Sequence, residues 1–170
     1  MKNQIHATIA FFDWADLAPV ISESVIMTTV TRTALVMHSA KQMYDLVNDC
    51  ESYPKFLPWC TNATLIEASD THMVGQLEIA KAGIKHSFTT RNTLHEAHKI
   101  ELKLVDGPFK RLEGEWRFDA LSEDACKISL TMEFEFAGKM IGLALGGVFN
   151  QAANTLVDAF CQRANDVYGR

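Results

Sequence analysis

The sequence predicts an α+β fold in which one long C-terminal helix lies across a single curved antiparallel sheet. Three observations predict it. Residues 138–168 read GKMIGLALGGVFNQAANTLVDAFCQRANDVY, and Ile141, Leu145, Val148, Phe149, Ala152, Leu156 and Phe160 recur at steps of three and four, on one helical face. Asn150, Gln151, Asn154, Asp158 and Gln162 fall mostly on the other side. At about 28 residues this helix is roughly 40 Å long, more than packing alone requires in a domain of this size. Ahead of it, six runs alternate apolar and polar residues, one face dry and one wet, as in an antiparallel sheet covered on one side. Finally, 170 residues that are 48% hydrophobic, with no linker, repeat or low-complexity stretch, make one domain with a real core.

The elements follow in order. Ile5 to Phe12 is apolar but is followed by Asp13, Asp16, Pro19 and Glu23, and only Lys2 supplies early positive charge, so this is a poor secretory signal. Residues 1–26 are expected to be an N-terminal extension, disordered or not natively translated, with Met27 as the natural start and the domain at 27–170. A short amphipathic helix packed on the domain is the alternative. Thr28 to Val36 reads as a first strand. Ser39 is suited to cap a short helix whose apolar stripe is Met43, Leu46 and Val47. Residues 49–60, with two prolines and three aromatics, predict a second helical turn and a bend, with Tyr53, Phe56 and Trp59 turned inward.

Ala63 to Ala68 is a second strand. Met73, Gly75, Leu77 and Ile79 share one face of the third, and Ala82-Gly83 turns the chain. In the fourth, Ile84, His86, Phe88, Thr90, Asn92 and Leu94 oppose Lys85, Ser87, Thr89, Arg91 and Thr93. Ile100, Leu102 and Leu104 mark the fifth strand, Leu112, Gly114, Trp116 and Phe118 the sixth, and Cys126, Ile128, Leu130, Met132, Phe134 and Phe136 the seventh. The prediction is seven strands, with two short helices after the first strand.

Composition narrows the function. A net charge of −5 and a pI near 5.6 disfavour wholesale binding to DNA or other nucleic acid. Cys50, Cys60, Cys126 and Cys161 form no CxxC pair, as expected of reduced thiols in a cytosolic protein. No run approaches the ~20 apolar residues of a membrane span. His95 and His98 lack a third ligand nearby, so no metal site is expected. His86 falls on the apolar face with Phe88 and Thr90, either as a core histidine or as a hydrogen-bonding group inside an apolar cavity; Thr90 and Asn92 could serve in the same way. No nucleophile elbow, phosphate loop or dinucleotide fingerprint is present, and the inward faces carry almost no carboxylates, so no enzymatic activity is expected.

Two stretches carry a family resemblance. Tyr53-Pro-Lys-Phe-Leu-Pro-Trp-Cys60 and Asp106-Gly-Pro-Phe-Lys-Arg-Leu-Glu-Gly-Glu-Trp-Arg-Phe118 resemble the coenzyme-Q-binding START-domain family of the SRPBCC/polyketide cyclase-like superfamily. Its bacterial members include the RatA-type ribosome-association toxins, often labelled oligoketide cyclase or lipid transport proteins. The resemblance spans Met27 to Arg170 and implies a helix-grip (START/Bet v 1-like) fold with a tunnel between sheet and helix. The implied ligand is ubiquinone or a similar isoprenoid lipid, bound reversibly by a carrier in the cytoplasm, with no required cofactor and transient contact with the inner membrane surface. The expected cavity lining is Phe56, Trp59, Leu77, Ile79, His86, Phe88, Thr90, Leu102, Trp116, Phe118, Leu130, Met132, Phe134, Leu145, Phe149 and Leu156. Phe109, after the Gly107-Pro108 turn, is expected either as a hairpin anchor or as a gate beside a sheet edge.

The rival function is binding to the large ribosomal subunit so as to block subunit association. Lys81, Lys85 and Arg91 would form one outward basic strip, and Lys103, Lys110 and Arg111 a second. Such contacts to phosphate would make binding strongly salt dependent. The apolar inward faces favour the carrier; the two motifs, shared by both kinds of protein, do not separate them.

Overall fold

A computed structural model describes residues 27–81 and 83–169; the expectation for residues 1–26 lies outside them. The order is β1 (Thr28–Val36), α1 (Ala40–Asn48), a 3-10 helix (Cys50–Lys55), β2 (Cys60–Ala68), β3 (His72–Lys81), β4 (Ile84–His95), β5 (Lys99–Asp106), β6 (Phe109–Ala120), β7 (Cys126–Phe136) and α2 (Lys139–Tyr168). The sheet runs β1-β7-β6-β5-β4-β3-β2, antiparallel throughout. Six strands form a meander, and β1 closes it against the last. This is the seven-stranded sheet gripping a C-terminal helix that the alternation predicts.

Local chemistry sets the boundaries. Ser39 starts α1 with a reciprocal pair: its hydroxyl accepts the Gln42 N–H at 3.1 Å, and the Gln42 side chain accepts the Ser39 N–H at 2.9 Å. Met43, Tyr44, Leu46 and Val47 are the buried face that results. Gly138 precedes α2 in extended backbone. That helix is, by length and composition, apolar enough to cross a membrane, contrary to the expectation that no segment approaches such a span. Its inner face is nevertheless packed on the sheet, with Phe149 and Phe160 buried. Arg32 on β1 donates to Asn154 Oδ1 at 2.5 Å, and the Tyr168 hydroxyl donates to the Gln42 carbonyl at 3.2 Å.

The alternation fails in β4 at one place. Thr89, expected on the wet face, is buried. Gln76 sits opposite it on β3 and donates to its hydroxyl at 3.3 Å, and a register shift at Thr89/Thr90 disturbs the ladder to β5. The β5–β6 turn differs too. Phe109 does not stand at a sheet edge, since β5 and β6 are interior strands and the edges are β1 and β2. It is buried against the rings of Phe88, Phe134, Phe136 and Phe149, with centroids 4.8 to 6.4 Å apart.

α2 builds the interior from two anchors. Phe149 joins the aromatic cluster just described, while Phe160 meets Tyr53, Phe56 and Trp116 at 5.2 to 5.3 Å. These anchors lie three helical turns apart on one face, and between them the helix presents the small side chains of Ala152 and Ala153. On the sheet side the same space is lined by Gly75 and Gly114. Small residues on both elements leave a gap between the two aromatic anchors.

Candidate functional site

That gap is a chamber of about 70 Å³ between α2 and the sheet. β3, β4, β5, β6 and β7 supply Met73, Gly75, Leu77, Phe88, Thr90, Asn92, Leu102, Leu112, Gly114, Trp116 and Met132; Cys50, Tyr53 and Trp59 close one side, and Phe149, Ala152, Ala153 and Leu156 form the roof. A wider vestibule of about 220 Å³ adjoins it, bounded by Pro58, Trp59, Ala80, Val148, Gln151, Ala152 and Thr155. Trp59 and Ala152 line both spaces and so lie between them. The interior is hollow yet narrow, well under the ~300 Å³ typical of a pocket for a drug-sized ligand.

Polar groups in the chamber are few. The Tyr53 hydroxyl is spent on the Val47 carbonyl at 2.6 Å. Glu113 contributes to the wall, but its carboxylate accepts from Arg111 at 2.9 Å on the outer face. The Cys50 thiol is pushed up to about 11, by burial first and then by the neighbouring carboxylates of Glu51 and Asp49, so it stays protonated and poorly nucleophilic. Thr90 and Asn92 remain, two residues apart on one strand face. Asn92 is only 5% exposed, and its Oδ1 has no hydrogen-bond partner among the described residues.

Of the expected lining, Trp59, Leu77, Phe88, Thr90, Leu102, Trp116, Met132, Phe149 and Leu156 come together in the chamber. Phe109 and Phe134 pack in the aromatic cluster beyond its Phe149 end. Phe118 lies against Tyr44 of α1 at 5.7 Å, and Phe56 sits between Tyr53 and Phe160. Ile79, Leu130 and Leu145 are buried in ordinary packing away from the chamber wall. His86 is half-buried opposite Ile79 and outside the wall, because its end of β4 extends past the chamber. The sequence reading missed Cys50, Tyr53, Met73, Gly75, Leu112, Glu113, Gly114, Ala152 and Ala153 as lining. A signal was available in the small residues, since a cavity needs glycine and alanine where a filled core needs bulk.

The outer face of the sheet carries the expected cations, mostly already paired. Lys85 meets Glu78 at 3.2 Å, Arg91 meets Glu67 at 3.5 Å, Lys110 meets Glu135 at 2.9 Å, and Arg111 meets Glu113 at 2.9 Å and Glu133 at 3.6 Å. Arg117 pairs with Glu115. Lys103, on β5, has no carboxylate partner among the described residues, and Lys81 ends β3. The two strips are therefore parts of a lattice of mixed sign, and exposed pairs of this kind, screened by solvent, contribute little to stability. His95, considered as a metal ligand, contacts Glu101 at 3.2 Å, and no group of three potential ligands assembles among the described residues.

A meander gripping one long helix around an apolar chamber defines the helix-grip class. A family described as polyketide cyclase / dehydrase and lipid transport matches residues 36–161, and the chain belongs to that family. It is similar to the ribosome association toxin RatA of Vibrio cholerae, 50% identical over 143 residues that cover 84% of this chain and 99% of that one. Similarity to the mitochondrial coenzyme Q-binding protein COQ10 homolog B of Xenopus laevis is lower, 28% over 136 residues covering 78% and 56%. Among solved structures, the Zhui aromatase/cyclase from Streptomyces sp. R1128 superposes with a TM-score of 0.70 at 21% identity, covering 81% of this chain and 93% of that one. A START superfamily protein from Mycobacterium smegmatis gives 0.68 at 19%, covering 82% and 98%. At these identities the two structures establish the fold.

Proposed function

We propose that this protein is a ribosome-associating regulator that binds the large subunit and hinders subunit joining, without catalysing a reaction. The observation that carries this reading is 50% identity, over nearly all of the described domain, to a protein named for ribosome association, against 28% to one named for coenzyme Q. It reverses the order of the two readings drawn from the apolar strand faces alone. Absence of chemistry is supported by the chamber wall, which offers an amide, a threonine hydroxyl and a protonated thiol but no paired carboxylates. The contact is expected to be cytoplasmic and to weaken as salt rises, because ribosomal RNA presents phosphate. Sedimentation of purified protein with ribosomes in sucrose gradients at low and high salt tests it. Comigration with the large subunit at low salt is the expected result; protein left at the top of the gradient at low salt refutes it.

A second reading stands on a separate observation, the hollow apolar chamber and its vestibule. It holds that the same domain retains a lipophilic guest such as ubiquinone or another isoprenoid, taken up at a membrane surface. Native purification, organic extraction and mass spectrometry, followed by titration with a short-chain quinone, test it. An empty protein that also fails to bind the added quinone removes this reading and leaves the ribosomal one intact.

A further inference from the structure

Large apolar side chains are exposed at one end of the molecule in a way that core packing does not explain. Antiparallel pairing gathers the start of β1 and the turns at 82–83, 107–108 and 137–138 at this end. The Ala137 N–H donates to the Pro108 carbonyl at 3.0 Å and so ties the start of α2 to the β5–β6 turn. On α2, Met140 and Leu143 are 81% and 84% exposed, and Ala144 and Gly147 continue the same exposed stripe. Met27 and Val105 are exposed at this end too. Past Gly147 the stripe turns polar, with Asn150 and Gln151, so the outward face of the helix is apolar over its first turns only.

Only 33% of the most apolar stretch of α2 is buried, which leaves most of that apolarity outside the core. Phe149 and Phe160 anchor the rest of the helix on the sheet, so the helix lies on the domain and its first turns are the part free for an outside partner. Charge selects that partner. The protein has a net charge of −5, yet Lys81, Lys85, Lys110, Arg111 and Lys139 stand within three residues of the three turns at this end, against Asp106 and Glu135. The side chains of Lys85 and Lys110 are 64% and 62% exposed despite their pairs with Glu78 and Glu135, and Lys139 has no carboxylate partner among the described residues. The opposite end also exposes apolar groups, Leu35, Met37 and Leu121, but there the turns carry Asp70, Glu96, Glu123 and Asp124. An apolar stripe among cations matches a surface that is anionic outside and apolar beneath; the acidic end would be repelled by it.

We propose that the start of α2 and the adjoining turns form a docking tip for an anionic lipid bilayer, with Met140 and Leu143 entering the boundary between headgroups and acyl chains and Lys85, Lys110 and Lys139 meeting lipid phosphates. This supplies the surface that uptake of a guest at a membrane would need, and it rests on exposure and charge whether or not a guest enters.

The test is flotation of the full chain with vesicles of phosphatidylcholine, with and without phosphatidylglycerol, at low and high salt. Binding to the phosphatidylglycerol vesicles, and much weaker binding to the neutral ones, is the expected result. Met140→Ser combined with Leu143→Ser should lower that binding about tenfold. Lys139→Glu should lower it more at low salt than at high salt. Leu35→Ser combined with Met37→Ser, at the acidic end, should leave it unchanged. Absence of flotation with phosphatidylglycerol vesicles overturns the inference. Binding that survives the Met140 and Leu143 changes also overturns it, since residues 1–26 or another face would then carry it, and so does an equal loss in the Leu35 and Met37 variant. A dimer, seen by light scattering, that the Met140 and Leu143 changes dissolve assigns the patch to a second copy of the chain and overturns it as well. None of these outcomes bears on the ribosome sedimentation or the quinone extraction, which test the two readings above separately.

Discussion

Gly107 shows how a single residue can fix the shape of the interior. Its φ is +143°, in the region that side-chain-bearing residues avoid, and a Cβ added there would stand 2.6 Å from Phe88 Cβ and 3.1 Å from Phe88 Cα. Neither atom can yield, because β4 is held on both sides by its neighbours. Gly107→Ala is therefore expected to lower stability by about 2–4 kcal/mol, combining backbone strain with a clash that rotamer changes cannot relieve. Urea unfolding measures this; a loss under ~1 kcal/mol would mean that the turn relaxes freely. Gly114 acts by size instead. A Cβ there would lie 3.3 Å from Leu102 Cδ1 and 3.3 Å from the Thr131 carbonyl, on the chamber wall. Gly114→Ala should diminish the chamber and weaken any guest, at a modest cost in stability, so titration and unfolding together separate the effects. A sequence reader sees the glycine of a Gly-Pro turn readily, since the pair has its own turn chemistry. Gly114 carries no local mark, because what matters are its neighbours Leu102 and Thr131 on the adjacent strands.

At the scale of elements, α2 is buried along most of its length and exposed at its start. From Leu145 to Ala164 it buries a continuous face, whereas Met140 and Leu143 in its first turns are 81% and 84% exposed. Gly138 and Gly147 have nothing within 4 Å of an added Cβ, so the glycines at these two places are not explained by close packing against the sheet. Gly142 and Gly146 do touch the Phe136 ring, at ordinary distances of 3.7 to 3.8 Å. Gly147 is the informative position, next to Val148 at the vestibule and without steric demand. Gly147→Ala should stabilise the helix by ~0.5–1 kcal/mol and slow amide exchange over residues 139–148. If exchange there is already as slow as at residues 156–164, the exposed start of the helix is no less stable than its buried part and the expectation fails. The length and inner face of the helix were legible from apolar spacing alone. Its uneven grip on the sheet was not, since periodicity records which residues share a face and says nothing of whether a partner covers them.

For the whole molecule, strand number, order of elements and the inward faces follow from alternation, while the charge pattern outside and the hollow inside do not. Lys85, Arg91 and Arg111 read as basic strips only as long as each strand is considered alone; register brings Glu78, Glu67 and Glu133 against them from other strands. The same limit applies to protons in the core. Burial, first among the causes, pushes the Cys50, Cys60 and Cys126 thiols up to about 11, and raises the Tyr53 phenol well above its usual value near 10. The unfolded chain releases thiol protons near its ordinary pKa of 9, whereas the folded protein holds them. Between those values the native state binds more protons than the unfolded one, so unfolding free energy falls as pH rises. The stability associated with these neutral thiols is fully present below about pH 9 and is lost progressively toward about pH 11. Chemical unfolding at a series of pH values across that window should show a steady decline, and replacing the three cysteines with alanine should flatten the part they cause. A slope that the alanine variant leaves unchanged would assign the decline to lysine and tyrosine ionisation at the surface and remove the buried thiols from the account.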